Sequence, residues 1–170
     1  ADISPDDLRS WTADDLRREL LGGGDDVVFL AGHFSANSAL AADYATSILT
    51  TELASSDVDL TNSLIFSGGC HSGYNIVDGD AVPGVTLPLD WAEAFAAKGA
   101  TLVAGTGYQY GDTDFLEYSE RLYALFAREL RRGSGAVSVG EALARAKQQY
   151  LASTPELRPL HYKSVLISAV

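Results

Sequence analysis

The chain has 170 residues, a hydrophobic fraction of 46%, a charged fraction of 21% and a formal net charge of −11. That is enough chain for one domain with a proper core and an ordinary globular composition, and no apolar run approaches the ~20 residues of a membrane helix. So acidic a chain repels nucleic acid and anionic lipid, so neither a nucleic acid nor a membrane is expected as a partner, and a single cysteine excludes an internal disulfide.

The acidity is uneven: −9 over residues 1–60, −5 over 61–116 and +3 over 117–170. In chain order, "SPDDLRS" and "TADDLRRELLGGG" read as short helices, a helical lead-in over residues 1–24. Pro5 suits a first helical position and Gly22 to Gly24 ends the second helix. "DDVVFLAG" (25–32) is a short apolar run ending in glycine, the pattern of a buried parallel strand. Residues 37–55 carry Leu40, Tyr44, Ile48, Leu49 and Leu53 as a helical stripe, with Asn37 or Ser38 as cap, and a helix is expected there.

"NSLIFSGG" (62–69) is a second buried strand. The segment 75–89, rich in Gly, Pro and Asp, reads as a loop before its crossover helix. "DWAEAFAAKG" has Asp90 as cap, Glu93 three residues on and Gly99 as stop. "ATLVAGTG" (100–107) is a third strand, and residues 117–133 form a helix whose basic end, "ARELRRG", complements its C-terminal dipole. Ser138 and Glu141 open the next helix, to about Leu151, and "HYKSVLISAV" (161–170) reads as a fourth strand. This alternation predicts an α/β fold: a mostly parallel sheet with helices on both faces, in one domain over residues 1–170. The lack of methionine, the opening "ADISPDD" and the apolar ending are read as signs of a piece of a longer chain.

In an open α/β sheet, ligands bind beyond the carboxyl ends of the strands. His33 follows the first strand at once and Cys70 follows the second. If the two strands are neighbours, as sequential parallel strands usually are, an imidazole and a thiol share one rim, one strand spacing of ~4.8 Å apart. A free thiol is only a few per cent ionised at neutral pH, so a nucleophilic cysteine needs such a base. The base then returns the proton to the leaving amine. Glycines 68, 69 and 73 leave room for a substrate backbone, and the turn after Cys70 offers N–H groups to an oxyanion. The bland alternative is a buried small cysteine and a hydrogen-bonded strand-end histidine. His71 is expected to point elsewhere, and His161 reads as structural. The serine of "GCHSG" falls one position late for a nucleophile elbow, no Walker sequence is present, and "GTGYQYG" lacks dinucleotide spacing. The histidines and cysteine lack zinc-site spacing.

A strand ending in His33 followed by a strand ending in "GCHSG" resembles the cysteine peptidases of caspase-like fold, in particular the gingipain-like branch. Residues 91–133, with "SVGEALARAKQQYL" after them, are similar to that branch's helix, strand, aromatic-glycine loop and following helices. The resemblance covers most of residues 26–170. It implies a three-layer αβα sandwich and hydrolysis of peptide bonds through a thioester, with Cys70 as nucleophile and His33 as general base. It further implies an oxyanion site made by backbone N–H groups, one of them at Cys70, for which Gly69 and, beside the histidine, Gly32 are the further candidates. Such enzymes cleave after Arg or Lys using acidic side chains, for which Asp78, Asp80, Asp112 and Asp114 are the candidates. The "DGD" and "GDTD" clusters are alternatively a calcium site, no other cofactor being expected. The first strands of that fold are missing from this chain, so other segments of a parent chain are expected as partners besides the substrate. The resemblance leans towards a secreted or cell-surface location. A catalytically inactive member serving as a binding or assembly module is the competing reading, and a flavodoxin-like binding domain a more distant one.

Overall fold

A computed structural model describes residues 10–75, 89–112 and 114–169. The expected helix around Pro5 lies outside these residues, as does nearly all of the loop 75–89 with Asp78 and Asp80. Helix α1 (Ala13–Gly22) starts at a capping box: the Asp15 N–H donates to Thr12 Oγ1 at 3.3 Å and the Thr12 N–H to Asp15 Oδ2 at 2.9 Å. Strand β1 (Val27–Leu30) leads into a meander of short antiparallel strands, β2 (His33–Phe34), β3 (Ser38–Leu40) and β4 (Ser47–Leu49), and then α2 (Thr50–Ser55). There follow β5 (Leu64–Ser67), α3 (Trp91–Ala97), β6 (Thr101–Gly105), α4 (Ser119–Leu130), α5 (Val139–Ala152), α6 (Pro159–Ile167) and β7 (Ser168–Ala169).

The main sheet has the order β1-β5-β6-β7, with the first three strands parallel and β7 antiparallel. Val28, Ile65 and Leu102 stand in register across it. Alternation along each strand sends side chains to two separate clusters. Val28, Leu30, Ile65 and Leu102 pack with Leu20, Leu53, Trp91 and Phe95 from α1, α2 and α3. Leu64, Phe66 and Val103 pack with Leu122, Phe126, Leu143 and Tyr150 from α4 and α5. Both faces are therefore covered by helices, which is why β5 reads as an unbroken apolar run, buried at all four positions. At about 1.5–3 kcal/mol per fully buried large apolar side chain, these two clusters dominate the folding energy.

Two expectations fail. Residues 37–55 are not one helix; only Thr50–Ser55 is helical. Asp43 folds the rest into a hairpin, for its Oδ1 accepts the Ala45 and Thr46 N–H groups, each at 2.9 Å, and Thr46 Oγ1 donates to its Oδ2 at 2.7 Å. Asn37 does not open a helix here; it lies just before β3, and its Nδ2 donates to the Leu89 carbonyl at 3.0 Å. At the other end, "HYKSVLI" is helix, and the strand shrinks to Ser168–Ala169. Pro159 takes the first helical position, and His161 at the third accepts the Arg158 N–H on Nδ1 at 2.9 Å. Its Nε2 lies 3.2 Å from Glu117 Oε1, and the ring is 1% exposed, so His161 is structural, though in a helix. Among the described residues no helix is long and apolar enough to cross a membrane.

Candidate active site

The parallel pairing of β1 with β5 matches Leu30 to Ser67. Both chains therefore leave the sheet on the same rim, His33 three residues after one and Cys70 three after the other. The loops touch. A Cβ built on Gly69 would stand 2.7 Å from the Phe34 Cβ and overlap its ring, so only glycine leaves room for Phe34 there. The neighbours in sequence of the two candidate catalytic residues are thus in van der Waals contact.

The histidine loop is tied down at several points. Ser35 accepts the Trp91 indole N–H on its carbonyl at 3.1 Å, and Ala36 accepts the Trp91 backbone N–H at 3.0 Å. Trp91 is 1% exposed, so the start of α3 is a fixed post for residues 35–36. The Phe34 ring lies 5.8 Å from the Trp91 ring. His33 itself is exposed, opposite Leu40 in the meander, with its ring 5.6 Å from Tyr44.

The cysteine turn is held by a denser net. The His71 N–H donates to the Gly107 carbonyl at 2.8 Å and the Gly73 N–H to the Gly105 carbonyl at 3.0 Å, so the turn is stitched to the end of β6. Ser72, 1% exposed, donates through Oγ to the Gly69 carbonyl at 2.7 Å. His71 has a φ of 56°, a left-handed conformation that costs a non-glycine residue roughly 1–2 kcal/mol and is held here by those bonds. Its ring meets Tyr108 edge-on at 4.5 Å, away from a role as base. The half-buried Cys70 donates its Sγ–H to the Gln109 carbonyl at 3.6 Å. The Gly69 N–H donates to Ser67 Oγ at 3.1 Å, whereas the Cys70 N–H has no acceptor among the described residues. Gly32 lies exposed between β1 and β2.

Of the four acidic candidates, Asp112 and Asp114 are exposed on the segment after β6. Asp112 Oδ1 accepts the Asp114 and Phe115 N–H groups, at 2.8 and 3.1 Å, so part of its carboxylate serves its own turn. Among the described residues no three His, Cys, Asp or Glu side chains converge to hold a metal ion.

Sequence reasoning misses three residues of this region. Gln109 sits buried beneath Cys70, Trp91 pins the histidine loop, and Phe34 joins the two loops. None carries a local signal. Each acts through contacts 35 to 56 residues distant in sequence, since the Phe34–Gly69, Gln109–Ser67 and Trp91–Ser35 separations all fall in that span. Fold and site define an α/β protein with a mixed, mostly parallel sheet and a cysteine-bearing turn at the carboxyl end of an inner strand. No protein-family model matches the chain, and no curated protein matches it.

Proposed function

We propose that this chain is a cysteine peptidase domain of gingipain-like type, a three-layer αβα sandwich of caspase-like fold, that hydrolyses peptide bonds through Cys70 and His33. The observation that carries the reading is the contact between the two loops through Phe34 and Gly69, made possible by the parallel β1–β5 pair. His33 takes the Sγ proton, and the sulfur attacks the peptide carbonyl carbon. The oxyanion is held by the Cys70 N–H, with Gly32 as the second donor. The C–N bond breaks, His33 passes the proton to the leaving amine, and a thioester remains. Water, deprotonated by His33, attacks the thioester; the acid leaves and the thiol is restored. Cleavage after Arg or Lys rests on the acidic side chains Asp78, Asp80, Asp112 and Asp114, and calcium in the same segments is the alternative use for them.

A second reading, an inactive binding or assembly module, is favoured by one observation. β1 pairs only with β5 among the described residues, and Val27 and Phe29 on it are 56% and 49% exposed. A strand with an open edge accepts a further strand.

The test uses the fact that Cys70 is the only cysteine. Iodoacetamide labelling of the folded protein at neutral pH, followed by intact mass, is expected to run at least about 10-fold faster than in the His33→Ala variant. Hydrolysis of a mixed peptide library is expected to vanish in Cys70→Ala. Labelling that ignores His33, with no peptide cleaved by the wild-type chain, leaves the module reading in its place.

A further inference from the structure

Gln109 is 8% exposed and lies where three pieces of the fold meet. The two hydrogens of its Nε2 face three acceptors, the Ser67 carbonyl at 2.8 Å, the Gly69 carbonyl at 3.3 Å and the Tyr123 hydroxyl at 3.1 Å, so one hydrogen is shared between two of them. Two of these acceptors are backbone carbonyls, which cannot donate, so the amide nitrogen must face them and the orientation of the side chain is fixed. The third acceptor is the hydroxyl of Tyr123, 2% exposed on α4, whose phenol burial pushes above its ordinary pKa and so keeps neutral. The backbone carbonyl of Gln109 itself accepts the Cys70 Sγ–H.

One residue therefore grips the cysteine turn twice, from below through the amide and at the sulfur through its own main chain. Gly105 makes the seat. A Cβ on it would lie 2.6 Å from Gln109 Nε2 and 2.9 Å from Cγ, so any larger residue expels the amide.

We infer that Gln109 is the positioning residue of the nucleophile: its amide fixes the Ser67–Gly69 backbone that carries Cys70, and its carbonyl orients the neutral thiol before His33 takes the proton. The inference rests on the peptidase reading and adds to it a residue with no role in proton transfer. A neutral donor is required. A carboxylate in the same place would face two carbonyl oxygens and a buried hydroxyl with no proton to give.

The experiment compares wild type with Gln109→Met, which keeps length and volume but deletes both N–H donors, and with Gly105→Ala, which displaces an intact Gln109. Thermal melting first establishes that each variant is folded at the assay temperature; Gln109→Asn replaces any that is not. Iodoacetamide labelling of Cys70 is then followed from pH 5 to 9, and kcat and KM are measured on a peptide that the wild type cleaves. Positioning predicts a labelling rate and a kcat that fall by about 10- to 100-fold in both variants, with KM within about 2-fold, as for a nucleophile about 1 Å out of place. Folded variants that keep the wild-type labelling profile and kcat overturn the inference and leave the peptidase reading intact. A wild type that labels slowly and cleaves nothing overturns the peptidase reading instead. In that case a turn around Cys70 still loosened by Gln109→Met, seen as faster backbone hydrogen exchange at residues 68–73, preserves the structural half of the inference, and unchanged exchange removes it.

Discussion

Replacing Gly69 by alanine tests the contact on which the site depends. The added methyl would sit 2.7 Å from the Phe34 Cβ and within the radii of two ring carbons, where ordinary contacts are 3.4–4 Å. Something must yield, and overpacking of this kind costs about 1–3 kcal/mol. Phe34→Ala has its own cost. The ring is half-buried, so about half of the ~3–5 kcal/mol of a fully buried phenylalanine, or ~2 kcal/mol, is expected. The double variant is the informative one. Without the ring, two of the three clashes disappear, and only the Cβ contact remains to be relieved by a small shift. Gly69→Ala should therefore cost at least about 1 kcal/mol less in the Phe34→Ala background than in wild type, an interaction energy in the range expected of touching residues. Urea unfolding at equilibrium measures all four corners of the cycle. In a domain of this size each kcal/mol shifts the melting midpoint by about 2–4 °C, so thermal scans give an independent check. If Gly69→Ala costs the same in both backgrounds, the two loops do not meet through Phe34, and the proposed approach of His33 to Cys70 loses its support.

Two further outcomes are expected. The Asp15 carboxyl is held down to about 2, first by the Thr12 backbone N–H and then by Arg18, so its contribution to stability is present above the ordinary Asp value of about 3.9. The stability difference between wild type and Asp15→Asn should be flat above about pH 5, shrink between pH 4 and 2, and vanish below; a difference that grows on acidification contradicts the capping geometry. Trp91→Phe keeps most of the ring but deletes the indole donor to the Ser35 carbonyl, at a cost of about 1–3 kcal/mol. It should slow Cys70 labelling by releasing the histidine loop, and an unchanged rate would show that the loop is held without it.

Much of this fold is legible in the sequence. Strands β1, β5 and β6 are short continuous apolar runs because helices cover both of their faces, and α1, α3 and α5 carry their start signals in Thr12, Asp90 and Ser138. The failures have a common cause. Leu40, Tyr44 and Ile48 recur at a helical spacing of four, but Asp43 competes with the helix by bonding the N–H groups two and three residues on, and that local chemistry wins. In "RPLHYKSVLISAV" the apolar composition points to strand, yet Pro159 and the His161 side chain set a helix start, and only Ser168 and Ala169 reach β6. The placement of His33 and Cys70 beyond the ends of two neighbouring strands is legible because strand ends announce themselves. Gln109 is not, because what marks it is the Ser67 carbonyl 42 residues away, which no local pattern encodes.

The sheet also separates charge. The described residues 10–60 carry a formal charge of −7 and supply α1 and α2 on one face, while residues 117–169, at +3, supply α4 and α5 on the other. The described residues therefore form an electric dipole lying across the sheet, which turns in the field of a charged body before contact. A cationic chain meets the α1–α2 side first, and a polyanion the α4–α5 side. This preference fades once added salt shortens the Debye length to about 10 Å or less.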